Sequence, residues 1–225
     1  MQLITEAFLR ALCLPAGSGF ALPAGAKLSP LAEEFARAQH LKIAPFAQSE
    51  GAPWHGEMPM TQQSPVPGGK PEHMTHLNGT TLVLKTHPRI QLRGKLDSLE
   101  ALVLLTLQEA QGAQRQQLEE VYTFTQAILG CEVKATPMPP LRLFGLNSAE
   151  LRRASHHPKE FAGIAHPVPH GDMGRLSLAL NYLRTQVREA ELCAVNAFAK
   201  GTRPDLIEAL NRLSSAVYLL FLKSL

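Results

Sequence analysis

The chain has 225 residues, of which 45% are hydrophobic and 18% charged, with a formal net charge of +3. That balance belongs to an ordinary globular protein with one sizeable core. The charge is too small, and Lys and Arg too scattered, for a nucleic-acid binder. Three cysteines, Cys13, Cys131 and Cys193, are odd in number and far apart. They argue against a disulfide framework and fit a reducing cytoplasm. No apolar run approaches the ~20 residues of a membrane span, and the opening residues lack the basic region of a signal peptide.

In chain order, residues 1–47 read as a small α/β appendage. Ser29 and Pro30 open a helix through His40, with an N-cap serine, a proline at the first helical position and acids in the first turn. Leu41–Ala44 reads as a short strand. Residues 48–73 are rich in Gly, Pro, Gln and Ser and predict a flexible loop. Residues 74–225 read as a helical domain, with one clear strand at Thr80–Leu84 ahead of the helix bundle. Asp97 and Glu100 resemble a capping box that opens a first helix ending near Gly112. A second helix spans about 113–129 and stops at Gly130. A third starts near Ser148 and stops before Pro158. A fourth runs from about Asp172 to Gly201, and a fifth begins near Thr202. Long amphipathic helices joined by short connections predict an all-α, five-helix bundle.

The fourth helix carries an apolar stripe, Leu176, Leu180, Leu183, Val187, Ala190 and Ala194, at 3- and 4-residue steps. Beside it runs a polar stripe of Asn181, Arg184, Arg188 and Glu191. On the fifth helix, Asn211 sits next to the core position Leu210. Arg184 and Arg188 are like charges one turn apart, a mildly repulsive arrangement. Two readings are open. One is a solvated face with an Arg188–Glu191 ion pair. The other is an anion site in a groove, where the guanidinium fork suits phosphate oxygens.

These residues carry a resemblance. The run Arg184-Thr185-Gln186-Val187-Arg188-Glu189-Ala190-Glu191 and the run Leu210-Asn211-Arg212-Leu213-Ser214 resemble the paired signatures of the ATP:cob(I)alamin adenosyltransferases. The segment from Lys85 through Arg89 and Gly94 to Asp97 is similar to a third family segment. The match is nearest to the ethanolamine-utilisation branch, in Ile4–Arg10, Leu22–Pro30, His170–Gly171 and Arg203–Ser215. It covers nearly the whole chain outside the 48–73 loop.

The resemblance implies a helical bundle assembled as a homo-oligomer, dimer or trimer, with ATP bound between subunits. It implies transfer of the 5′-deoxyadenosyl group of ATP to the cobalt of cob(I)alamin, with triphosphate leaving. Residue by residue, Arg188 and Glu191 correspond to catalytic positions that line the ATP site. Lys85, Arg184 and Asn211 join them in binding ATP, with Mg²⁺ sharing the phosphate charge. Asp97 and Arg184 correspond to an ion pair across the interface. Phe161, Val168 and His170, in or beside the 158–170 loop, are the candidates to face the corrinoid. Expected partners are an ethanolamine ammonia-lyase and a reductase, in the cytoplasm and in association with a bacterial microcompartment. No nucleic acid or membrane is expected.

Three departures stand out. Glu189 occupies a position where many relatives carry an arginine. Ser215 replaces an aspartate. The 74–81 segment lacks a fuller glycine-rich pattern. Some ethanolamine-type relatives have a cysteine cluster in the long loop, whereas this chain offers only His55, His73 and His76 there, so no metal site is expected. Two rival functions remain: a non-catalytic helical adaptor of a metabolic compartment, and a histidine-dependent metal enzyme using the 55–87 region.

Overall fold

The computed structural model describes residues 2–11, 16–17, 19–22, 25–45, 58–59, 70–79, 81–198 and 201–225. Most of the 48–73 loop, with His55, therefore lies outside the described residues. The chain divides into two compact units, residues 1–59 and 60–225.

The first unit holds β1 (Gln2–Ile4), α1 (Glu6–Ala11), β2 (Gly19–Leu22), β3 (Ala26–Leu28), α2 (Pro30–Ala38), β4 (Lys42–Pro45) and β5 (Met58–Pro59). β1 pairs in parallel with β3, and β2 in parallel with β4. α2 starts as its sequence dictates: the Ser29 hydroxyl accepts from the Ala32 amide, and Pro30 supplies the first helical turn. Ile4, Leu9, Phe20 and Ala32 are buried there.

The second unit begins with a hairpin of β6 (Met74–His76) and β7 (Thr81–Leu84). Five long or medium helices follow: α3 (Pro88–Leu107), α4 (Gly112–Lys134), α5 (Ser148–His156), α7 (Arg175–Ala197) and α8 (Pro204–Lys223). A one-turn helix, α6 (Pro158–Ala162), follows α5. A hairpin of β8 (Arg142–Leu143) and β9 (Leu146–Asn147) precedes α5. Its two turn residues, Phe144 and Gly145, both have positive φ, the geometry a two-residue hairpin requires. The expected five-helix bundle with a small α/β appendage is the observed architecture.

α7 packs against α8 and α3, α3 also against α4, and α8 against α4 and α5. Cross-links show α7 antiparallel to both neighbours. Ser177 meets Ser224, the residue that caps the end of α8, and Glu191 meets Asn211 of α8. Gln186 meets Lys95 of α3, and Arg175 meets Glu109, two residues past the end of α3. Leu180, Leu183, Val187, Ala190 and Ala194 are buried, as are Leu206, Leu210, Leu213, Val217 and Leu220. The apolar stripe predicted for the fourth helix is therefore the core face of α7, and the predicted core position Leu210 is buried on α8.

Several helix ends differ from the sequence reading. α3 starts nine residues before Asp97, capped by His87, whose Nδ1 accepts from the Arg89 amide, with Pro88 next. Asp97 is thus mid-helix and exposed, and caps nothing. Proline at the first turn outweighed the Asp97–Glu100 pattern. α4 runs past Gly130 to Lys134 because Glu132, fully buried, is gripped from α3. Arg89 Nε lies 2.6 Å and Arg93 Nε 2.5 Å from its two oxygens. α7 begins after Gly174 rather than at Asp172, and it ends before Gly201. No helix among the described residues is long and apolar enough to cross a membrane.

Candidate active site

A groove of about 670 Å³ is lined by α7, α8, the end of α5 and the connection that follows α6. α7 contributes Arg184, Arg188, Glu191 and Leu192. α8 contributes Asn211, Ser214, Ser215 and Tyr218. Ser155 and His156 come from α5, and His166 and Pro167 from the connection. The helical repeat explains the set. Steps of 4, 3 and 1 on α7, and of 3, 1 and 3 on α8, put these side chains on the edge of each core face. The antiparallel crossing then sets the two edges side by side.

Arg184 and Arg188 lie one turn apart. Arg184 is half-buried, and its Nε is buried with no hydrogen-bond partner. Burial, then the neighbouring Arg188 charge, lowers its pKa, while Tyr218 opposes the shift. Arginine does not lose its proton under such pressure, so the site carries the full charge. Arg188 is exposed, and among the described residues it makes no ion pair. The Arg188–Glu191 pair of the solvated-face reading does not form. Glu191 instead accepts from Asn211 Nδ2 at 2.7 Å, and Asn211 Oδ1 accepts from Arg212 Nη2. Arg212 also has a buried, unpartnered Nε. Burial and then Arg152 lower its pKa, against Glu208 and Glu191. Tyr218 has its pKa raised by burial, partly offset by Arg184.

The arrangement is an anion receiver. Two guanidiniums face a groove whose single described carboxylate, Glu191, is held by an amide. An unpartnered buried donor is unfavourable until something accepts from it. A polyphosphate supplies such acceptors and binds arginine bidentately.

The model of the family described as Cobalamin adenosyltransferase matches residues 67–224. This chain belongs to the cobalamin adenosyltransferase family. It is 34% identical over 246 aligned positions to the Corrinoid adenosyltransferase EutT of Escherichia coli strain K12, covering 98% of this chain and 91% of that protein. The EutT of Salmonella typhimurium strain LT2 is also 34% identical, with the same coverage. Among solved structures, a variant of a PduO-type ATP:corrinoid adenosyltransferase from Lactobacillus reuteri, complexed with cobalamin and ATP, shares the fold. It has a TM-score of 0.54 and 18% identity, over 67% of this chain and 87% of that one. The family match spans the whole helical bundle of this adenosyltransferase, groove included.

Of the sequence-predicted site residues, the structure brings Arg184, Arg188, Glu191 and Asn211 into the one groove. It places the others elsewhere in the chain. Lys85 is exposed in the turn between β7 and α3, and Asp97 is exposed on α3. Neither lines the groove, and among the described residues Asp97 makes no ion pair with the chain's own Arg184. Phe161 is half-buried on α6, with Lys223 Nζ 5.4 Å from its ring centroid. Val168 is 80% exposed. His170 is exposed, its Nδ1 3.8 Å from Asp172. Asn181, on the polar stripe, stops short of the groove. Among the described residues no group of three or more His, Cys, Asp or Glu side chains is placed to hold a metal ion.

Sequence reasoning missed Tyr218 as a groove residue. Its signal was present: it lies seven residues, two turns, after Asn211 and so on the same face of α8.

Proposed function

We propose that this chain transfers the 5′-deoxyadenosyl group of ATP to cob(I)alamin, giving adenosylcobalamin and triphosphate. The observation that carries this reading is the Arg184–Arg188 pair, which among the described residues has no carboxylate partner within its own chain and lies in the same groove as the Asn211–Glu191 pair. The family membership names a reaction whose leaving group is the polyanion such a groove needs. The EutT relatives and the solved neighbour, which is complexed with cobalamin and ATP, support the same substrates.

In this mechanism the cobalt(I) of the corrinoid substrate supplies the electron pair. A cobalt–carbon bond forms at C5′ of the ribose as the C5′–O bond breaks, and the pair leaves on triphosphate. So strong a nucleophile requires no general base. The protein must instead align C5′ with cobalt and stabilise charge on the departing phosphates. Arg188 and Arg184 bind the phosphate oxygens. Glu191 orients the nucleotide, with Asn211 donating to it and fixing its position.

A Mg²⁺ ion is usually held by substrate phosphates, waters and one or two carboxylates. The groove has that kind of donor set: one carboxylate, Glu191, and the hydroxyls of Ser214 and Ser215. Those residues would hold a Mg²⁺ that arrives with the nucleotide, and it would share the phosphate charge.

Lys85 and Asp97, exposed and outside their own groove, act in a neighbouring copy. Lys85 reaches that copy's phosphates, and Asp97 pairs with its Arg184. The working form is therefore a homo-oligomer, dimer or trimer. Phe161, Val168 and His170 remain the proposed corrinoid side of the site. The product serves an ethanolamine ammonia-lyase, with a reductase supplying cob(I)alamin, in the cytoplasm and beside a bacterial microcompartment.

The test is anaerobic. Protein, ATP, Mg²⁺ and chemically reduced cobalamin are mixed, and the corrinoid spectrum is followed. Conversion to a light-sensitive alkylcobalamin is expected, and absence of product across reductants overturns the proposal.

A further inference from the structure

The connection from α6 to α7, residues 163–174, borders the groove through His166 and Pro167. Among the described residues one side-chain hydrogen bond ties it to α8: His166 Nδ1 and the Tyr218 hydroxyl lie 2.6 Å apart. The two rings stack, with centroids 5.8 Å apart and planes 21° apart. The same tyrosine ring carries the Arg184 guanidinium, whose Cζ lies 5.7 Å from the ring centroid.

Two features make this more than packing. Within its own chain Arg184 has no hydrogen bond or ion pair among the described residues, so there the Tyr218 ring is the group that steadies it. A phenylalanine would do that equally well. The hydroxyl is needed only for the connection, because a half-buried phenol requires a partner and His166 provides it. Tyr218 therefore joins the anion-binding arginine to the chain segment at the groove's edge. Val168, two residues beyond His166, stands 80% exposed on that segment.

We infer that Tyr218 is a positioning residue: its ring aims Arg184 into the groove while its hydroxyl latches residues 163–174 down as the groove's lip. This rests on the adenosyltransferase reading above. The nucleotide engages Arg184, and the lip, held by the same side chain, covers the place where the second substrate approaches. The two duties separate on substitution, because one belongs to the ring and the other to the oxygen.

Tyr218→Phe keeps the ring and removes the latch. Its ATP KM stays at the wild-type value, while kcat/KM for the corrinoid falls about fivefold, the usual worth of one hydrogen bond. Amide hydrogen exchange across residues 163–174 speeds up. Tyr218→Leu loses the ring as well, and its ATP KM rises about fivefold in addition. His166→Ala matches Tyr218→Phe. His166→Asn, which offers an amide near the lost Nδ1, recovers most of the corrinoid term. The double variant Tyr218→Phe with His166→Ala is no worse than either single one, because both remove the same bond.

Wild-type exchange in residues 163–174 of Tyr218→Phe overturns the latch, as does full additivity in the double variant. A wild-type protein that forms no alkylated corrinoid sinks the adenosyltransferase reading instead. The exchange measurement then still reads the latch directly.

Discussion

Arg188 and Arg203 are both arginines on the C-terminal helices or their caps, yet their surroundings are opposite, and substitution should separate them. Arg203 is held within its own chain. Its Nε donates to Asp205 Oδ1 at 2.9 Å, and its Nη2 to Asp205 Oδ2 at 2.9 Å and to the Thr136 carbonyl at 2.8 Å. Asp205 also accepts from the Met138 amide at 3.0 Å, and the guanidinium holds its carboxyl far below the ordinary carboxylate range. Arg203→Ala deletes a bidentate, charge-assisted pair and a carbonyl contact, about 2 kcal/mol in a partly exposed setting. For a protein of this size that lowers Tm by about 4–8 °C. Arg188→Ala deletes no described ion pair and relieves Arg184 of a like charge, worth a few tenths of a kcal/mol. Its Tm holds or rises slightly. What it loses is the nucleotide. One or two charge-assisted bonds to phosphate, about 1.5–3 kcal/mol, raise the apparent ATP Kd about 10- to 150-fold. Thermal denaturation with and without Mg·ATP reads both quantities, since saturating ligand adds about 2.7 kcal/mol at a hundred times Kd. Arg203→Ala should melt early and keep its ATP-induced shift; Arg188→Ala should melt normally and lose it. If both variants lose the same ATP shift, the groove reasoning fails and the stripe on α7 is only a surface.

The other predictions follow from buried and facing charges. Glu132→Gln leaves Arg89 and Arg93 without their carboxylate at a fully buried point, so chemical denaturation should show a loss of about 3–5 kcal/mol; a loss below about 1 kcal/mol would mean water replaces the pair. Glu100 has its pKa raised by burial and then by Asp97, so its contribution is full below the unfolded carboxylate pKa and declines as pH rises through the folded one. Glu100→Gln should therefore gain stability at pH 7 and gain none near pH 3, and an equal gain at both would refute the electrostatic cause. Asp97→Ala subunits mixed with Arg188→Ala subunits should recover activity that neither variant has alone, because some sites then combine two intact halves. No recovery would place each site within one subunit.

Much of the bundle was legible because both long C-terminal helices bury one continuous apolar stripe, and a 3.6-residue period shows in sequence. Arg184, Arg188, Glu191 and Asn211 were legible for the same reason, as a polar band at fixed offset from that stripe. Helix ends were less so. The start of α3 looked like Asp97 because a local capping pattern competes with proline at the first turn, and only the fold shows that His87 caps it. The length of α4 past Gly130 depends on Glu132 meeting two arginines some forty residues earlier, a long-range pairing no local window contains. Tyr218 went unread because a tyrosine within an apolar run looks like core. Its duty depends on His166, 52 residues away.

Two of the three departures from the family pattern bear on the groove in different ways. Glu189 replaces an arginine on α7, and on residue counting alone that removes a cation from an anion site. The structure turns it aside: Glu189 pairs with Lys95 of α3, and Gln186 also meets that lysine, at 2.7 Å. The Lys95 bond and charge lower the Glu189 pKa. An arginine at that position would face Lys95 as a like charge. The exchange is thus a repair of the α3–α7 seam, and the groove keeps both Arg184 and Arg188. Ser215 replaces an aspartate, and this one does line the groove. Its hydroxyl reaches the Asn211 carbonyl at 3.4 Å, so no negative charge is left there. The described carboxylate remaining opposite two guanidiniums is Glu191. By losing the aspartate the groove becomes more positive than the family pattern would make it. A more positive groove favours a polyanion over a neutral nucleoside, and it makes binding more sensitive to salt than any single contact would.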